Sequence, residues 1–253
     1  MALLEVRGLS KAFSGVMAVQ DVEFSVEPGL VYSVIGPNGA GKTTLFNLIT
    51  GIYQPSQGEI RLNGETITGL PPHRLAQKGM ARTFQNLQIC MNLGALENVM
   101  LGAHLALDRN LLKGMFRSPG VRRADEVLRE EAAELMGFVG LKTYLASAAS
   151  AMPYGALKRL EIARALAAKP RILFLDEPAA GLNPKETAQI DALLRELAHR
   201  RTTVVLVEHD MKMVMNISDR ILVLNYGRKL IEGTAREVRR NPDVIAAYLG
   251  KAA

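Results

Sequence analysis

Apolar and polar positions alternate at the start of the chain. Residues 3–7 and 22–26 repeat with period two, which predicts two half-buried strands. Residues 31–35 form a short run rich in β-branched side chains, cut off by Gly36-Pro37-Asn38-Gly39, and read as a buried strand ending in a loop. Helical spacing follows over residues 44–49 and is closed by Gly51, and residues 59–62 return to a strand before the turn pair Asn63-Gly64. The texture then changes. Between about residues 86 and 168 strand patterns vanish, and Ala, Leu, Glu and Arg recur at helical spacing, most clearly over 124–136 and 158–167. Strands come back at 172–175, 204–207 and 221–224, now separated by helices. Asn183, Pro184 and Glu186 supply an N-cap, a first-turn proline and a capping box, Thr234 and Glu237 form a second box, and Asn241-Pro242 opens a last helix. Strands alternating with helices predict a parallel sheet, and the helical middle predicts a lobe inserted into that α/β core.

Composition narrows the class. With 253 residues, 48% hydrophobic and 22% charged, the chain reads as one large domain or two lobes and not as a disordered segment. A single cysteine, Cys90, excludes an intrachain disulfide framework and a Cys-rich zinc site, and reads as a small buried hydrophobe. No apolar stretch approaches the length of a membrane span, and charges among the first seven residues argue against a signal peptide. The expectation is a soluble, mildly basic, cytosolic protein of net charge +6.

The strongest chemical signal is Gly36-Pro37-Asn38-Gly39-Ala40-Gly41-Lys42-Thr43, which matches G-x-x-x-x-G-K-[ST] between a predicted strand and a predicted helix. Its glycines let the backbone approach an anion, and the amides from Gly39 to Thr44 point at phosphates from a helix N-terminus. Lys42 is expected to reach the β and γ phosphates, and the Thr43 hydroxyl to ligate Mg²⁺. No N-K-x-D segment reads guanine, and Phe13, expected in a loop between the first strands, is a candidate to stack on adenine.

Two further strands end in chemistry. The run at 172–175 leads into Asp176-Glu177-Pro178, which sets two carboxylates at the carboxyl edge of the sheet. Asp176 is expected in the Mg²⁺ shell, and Glu177 is expected to polarise an attacking water, because phosphoryl transfer depends mainly on positioning and charge neutralisation. The run at 204–207 leads into Glu208-His209-Asp210, where His209 could sense the γ phosphate.

Together these residues resemble the ATP-binding cassette of ABC transporters, over about residues 3–250. The resemblance implies a P-loop NTPase core with a mostly parallel sheet, an N-terminal antiparallel β subdomain and an inserted α-helical subdomain. It divides the single cassette into a core lobe, 3–85 with 169–250, and a helical lobe, 86–168. It implies that Gln85, in Arg82-Thr83-Phe84-Gln85-Asn86, is the Q-loop contact to Mg²⁺ and water. Asp176 and Glu177 become the Walker B aspartate and catalytic glutamate, residues 180–183 the D-loop, His209 the switch histidine and Phe13 the A-loop aromatic. The chain departs from the family at the signature loop. Where L-S-G-G-Q is usual, it has Met152-Pro153-Tyr154-Gly155-Ala156. Pro153 stands where a serine would donate to the γ phosphate, and it has neither hydroxyl nor N–H. Because this loop serves the opposite subunit's nucleotide, the weaker site is expected to be the partner's.

Residues 178–184, 207–211 and 245–250, with an additional segment at 105–123, look like LivG-type ATPases of branched-chain amino-acid importers and their relatives for urea and amides. The implied partners are transmembrane permease subunits and a homologous second ATPase subunit, with a homodimer as the alternative. A periplasmic or extracellular solute-binding protein would act indirectly, and no nucleic acid is implied. The implied location is peripheral, on the cytoplasmic face of the inner or plasma membrane. Arg109, Lys113, Arg117, Arg122 and Arg123, with no acid among them, read first as a solvated loop, second as a contact to the permease or lipid headgroups, and last as a nucleic-acid patch. Rival readings are a lipopolysaccharide-export ATPase, a soluble ABC ATPase of translation or DNA repair, and a small-molecule kinase. The soluble ATPases usually carry two cassettes or long coiled-coil insertions, and a kinase leaves Gln85, Gly155 and His209 unexplained.

Overall fold

The first two predicted strands are longer than their alternation suggests. They form β1 (Leu4–Phe13) and β2 (Val16–Val26), paired antiparallel with register shifts between Val6 and Leu9 and again on to Ala12. Each shift breaks the period-two pattern, which hides the second half of β1 from a periodicity reading. Phe13 is therefore the last residue of a strand, before the Ser14-Gly15 turn, and does not lie in an open loop. The computed structural model describes residues 2–103 and 119–249, and leaves aside the side chains of 119–122 and 249. Arg109, Lys113, Arg117 and the Arg122 side chain lie outside the described residues, as does most of the additional segment at 105–123.

Contacts group the chain into two units, Met1–Arg82 with Arg171–Ala253, and Thr83–Pro170. In the first unit, β4 (Gln57–Leu62) and β5 (Glu65–Thr66) complete a four-stranded antiparallel sheet of order β2-β1-β4-β5. A second sheet contains β3 (Val31–Ile35), β6 (Met80–Arg82), β7 (Ile172–Asp176), β8 (Thr203–Val207), β9 (Arg220–Asn225) and β10 (Arg228–Gly233). Its order is β10-β9-β3-β8-β7-β6, with every pair parallel except β10 against β9. Strands β3, β7 and β8 are buried along their whole length, as expected of a parallel sheet covered on both faces.

Alternation within these strands feeds two cores. Val34, Leu222 and Leu224 join residues of the antiparallel sheet and Leu45, Phe46, Leu48 and Ile49 of α1 (Lys42–Ile49). Ile35, Ile221 and Val223 turn the other way, onto α7 (Met211–Ile217), α8 (Ala235–Arg240) and α9 (Pro242–Leu249). Met213 is buried and Met211 and Met215 pack at the margin of this second core, as core-filling methionines do. A short α2 (Pro72–Gln77) leads into β6, and α6 (Pro184–His199) links β7 to β8. The predicted cap is present, since Asn183 accepts from the amides of Lys185 and Glu186 at 3.0 Å each.

The second unit is helical, with α3 (Ala95–Gly102), α4 (Pro119–Phe138) and α5 (Tyr154–Leu166). Cys90 is half-buried and not fully enclosed; its amide and carbonyl are bound by the Asn98 side chain at 2.9 and 3.0 Å. Among the described residues no helix is long and apolar enough to cross a membrane.

Candidate active site at the carboxyl edge of the parallel sheet

Register brings three loops together. Val34 of β3 lies opposite Val207 of β8, and Val207 lies opposite Asp176 of β7, so all three strands end on one edge. The loops that follow carry Gly36–Lys42, Glu177 and His209, the positions where open α/β sheets bind ligands.

The first loop is held by its backbone. A Cβ on Gly36 would stand 2.2 Å from the Leu224 carbonyl oxygen, and one on Gly41, at φ +95°, 2.4 Å from that of Ala18. Both are under van der Waals contact, so these positions require glycine. Gly41 is also the N-cap of α1; no side chain caps that helix and no acid occupies its first turn. Such an end suits an anion. Lys42 is buried, and its Nζ donates to the carbonyls of Gly36 and Pro37 at 2.7 and 2.9 Å. Burial lowers its pKa, with the Glu177 carboxylate acting in the opposite direction. Asn38, Gly39 and Thr43 are exposed, while Ala40 is buried and Pro37 and Thr44 are half-buried. A polyphosphate fits this cradle, because its amides, its helix end and its ammonium are all complementary to negative charge.

The second loop begins at Asp176, which is buried at the end of β7. Glu177 follows in the left-handed region at φ 49°, donates its N–H to Val207 O at 3.0 Å, and accepts from the Ala180 N–H at 3.1 Å. A non-glycine residue held there is strained, and such strain concentrates at functional sites. Glu177 Oε1 lies 2.7 Å from His209 Nε2. Two residues that the sequence assigned separately to water activation and phosphate sensing are thus hydrogen-bonded to each other.

Three contacts were not foreseen from the sequence. Arg82, at the end of β6, donates to Asp176 Oδ2 at 3.1 Å and to Asn47 Oδ1 and Thr50 Oγ1 of the α1 region at 2.7 and 2.6 Å. A lone arginine inside the apolar approach to Gln85 was the available signal. Glu208 is also buried, accepting from the amides of Ala179 and His209 at 2.9 and 3.0 Å. The Tyr248 phenol of α9 lies near the Gly36 amide, which lowers its pKa against the larger raising effect of burial.

Phe13 is exposed and meets Tyr53 edge-on at 5.3 Å, with Lys11 Nζ 5.1 Å from its ring centre. Gln85 is exposed in the bend that opens the second unit. In that same unit Pro153 is the N-cap of α5, and its carbonyl accepts from the amides of Ala156 and Leu157 at 3.0 Å each. Met152, Gly155 and Ala156 are buried, and Tyr154 is exposed.

Comparisons with known proteins bear on the family and the fold. The family model described as ABC transporter matches residues 19–180, and one described as branched-chain amino acid ATP-binding cassette transporter matches residues 228–253. The chain is 51% identical to the high-affinity branched-chain amino acid transport ATP-binding protein BraF of Pseudomonas aeruginosa, over 99% of this chain and 98% of that one. It is 47% identical to LivG of Escherichia coli over the same shares. Among solved structures, a nucleotide-free ATP-binding cassette and an ADP conformation of a cassette from an ABC transporter each superpose with a TM-score of 0.86 at 30% identity, covering 99% of this chain and 100% of theirs. A fold, a phosphate cradle and near-full-length identity of this order make the chain a member of the ABC transporter ATP-binding family, close to LivG and BraF.

Proposed function

We propose that this chain is the ATP-hydrolysing subunit of an importer for branched-chain amino acids or related small polar solutes. The observation that carries this reading is the 2.7 Å Glu177–His209 pair at the same sheet edge as the Lys42 loop, in a chain half identical to BraF. In the proposed mechanism the amides from Gly39 to Thr44 and the Lys42 ammonium bind the β and γ phosphates, and Phe13 stacks on adenine. Thr43, Asp176 and Gln85 would hold Mg²⁺. Among the described residues no group of three or more His, Cys, Asp or Glu could hold a metal ion. When bound, the ion neutralises charge on the β and γ phosphates. Glu177 orients a water and takes its proton, while His209 keeps the carboxylate aimed and faces the γ phosphate.

The same reading treats the chain as one cassette of a core lobe, 3–85 with 169–250, and an inserted helical lobe, 86–168. Residues 152–156 would complete the nucleotide site of a second, homologous ATPase subunit. Permease subunits would supply the membrane span and a solute-binding protein the solute, with this chain peripheral on the cytoplasmic face.

Co-purification from membranes followed by uptake assays over amino acids, urea and amides tests the proposal. The expected result is ATP-dependent uptake of branched-chain amino acids together with permease subunits. ATP-driven phosphorylation of a small acceptor in place of phosphate release would overturn it.

A further inference from the structure

The loops bearing Glu177 and His209 come from different strands, and one buried side chain joins them. Glu208 Oε1 accepts from the Ala179 amide at 2.9 Å, and its Oε2 accepts from the amides of His209 and Asp210 at 3.0 and 3.4 Å. Ala179 lies inside the tight turn that Glu177 opens, closed by the Ala180 N–H onto Glu177 O at 3.1 Å. That turn holds Glu177 at φ 49°, a conformation that its surroundings must enforce. On the other side, Asp210 caps α7 by accepting from the Lys212 and Met213 amides at 2.9 and 3.1 Å. The His209 loop is therefore anchored at both ends, by Glu208 and by the helix cap.

We infer that Glu208 is a positioning residue for ATP hydrolysis, a carboxylate strut that sets the distance between the turn bearing Glu177 and the loop bearing His209. The chemistry of the site selects a carboxylate for this task. It is acceptor-only and has two oxygens, so it takes N–H groups from two loops at once. An amide at the same place turns an NH₂ toward one set of donors, and a shorter carboxylate reaches only one loop. A base held by a partner that is itself oriented by a third group is the general logic of activated sites.

The inference rests on the roles proposed for Glu177 and His209, and its test separates the two. ATP hydrolysis by the full chain is measured for E177Q, H209A, E208Q, E208D and the double variant E208Q/H209A. For E208Q the expected result is a kcat about 10- to 100-fold lower, the scale of a small misplacement of reacting groups. KM for ATP should stay within about twofold, because the strut touches no part of the phosphate cradle. E208D keeps the charge but falls short of Ala179, so it should lose kcat in the same way; it also serves if E208Q does not fold. In the H209A background, E208Q should cost less than about threefold further, because the pair it aligns is already gone. Undiminished loss in that background, a loss confined to KM, or wild-type kcat in both Glu208 variants would overturn the strut. Wild-type turnover in E177Q and H209A would instead overturn the site reading itself.

Discussion

Glu177 and His209 share a hydrogen bond of 2.7 Å, yet they differ in enclosure, with side-chain exposures of 18% and 46%. A carboxylate sheltered this far, with one oxygen already committed to the imidazole, is suited to taking a proton from a water. Replacing it by glutamine keeps shape and removes basicity, so E177Q should lower turnover by ~10²–10⁴-fold, the scale of a lost general base. ATP binding, read by equilibrium titration, should persist, because the cradle around Lys42 is untouched. Elsewhere a buried carboxyl carries a stability cost. Burial raises the pKa of Glu161 on α5, against weaker lowering by the Gln88 amide, which donates to its Oε1 at 3.3 Å, and by Lys158. A folded pKa above the unfolded value means that the folded state holds the proton more tightly. Stability should then fall as pH rises from the ordinary carboxylate value, about 4.3, through the raised one. E161Q should flatten that dependence, and its gain in thermal midpoint over the parent should be larger at about pH 7.5 than at about pH 4.5.

At the scale of elements, Arg82 ties three of them together. Its guanidinium joins the end of β6 to Asp176 of β7 and to Asn47 and Thr50 at the end of α1, with only 10% of the side chain exposed. Removing one member of a buried ion pair typically costs about 3–5 kcal/mol, so R82M should lower the free energy of unfolding by that order, read from denaturant titration. R82K should recover little, since a point charge on a flexible stem cannot serve a carboxylate and two side-chain oxygens in one plane. This clamp was not legible in the sequence, because it depends on β6 pairing with β7. A three-residue strand offers too few positions for any alternation to register. By contrast β3, β7 and β8 were legible, because burial on both faces writes them as unbroken apolar runs, each ended by chemistry. The phosphate loop and the two carboxylates could be read for the same reason, since their positions follow from where those runs stop. What could not be read is contact across strands: the Glu177–His209 bond, the Glu208 strut and the place of Phe13 at the end of a bulged strand.

At the scale of the whole molecule, the chain carries half of two composite sites on the proposed reading. Its own cradle, Glu177 and His209 would serve one nucleotide, and residues 152–156 would serve the nucleotide of the second subunit. On that reading the second contribution is the weaker one. Pro153 caps α5 through its backbone carbonyl alone, with no hydroxyl, no N–H and no side-chain cap bond at that helix start. A site completed by such a loop lacks donors that would neutralise charge on the γ phosphate in the transition state, and the loss of one donor of this kind costs about 10²–10³ in kcat. If the second subunit brings a serine and glycines to the corresponding loop, the two sites become unequal. The one built on Lys42 and Glu177 is then the faster. Glutamine in place of the catalytic glutamate, introduced into one subunit at a time, measures the difference. E177Q in this chain should abolish most of the transporter's phosphate release, while the matching change in the partner leaves the larger share intact. The reverse ranking would mean that Pro153 does not weaken the site to which it is presented.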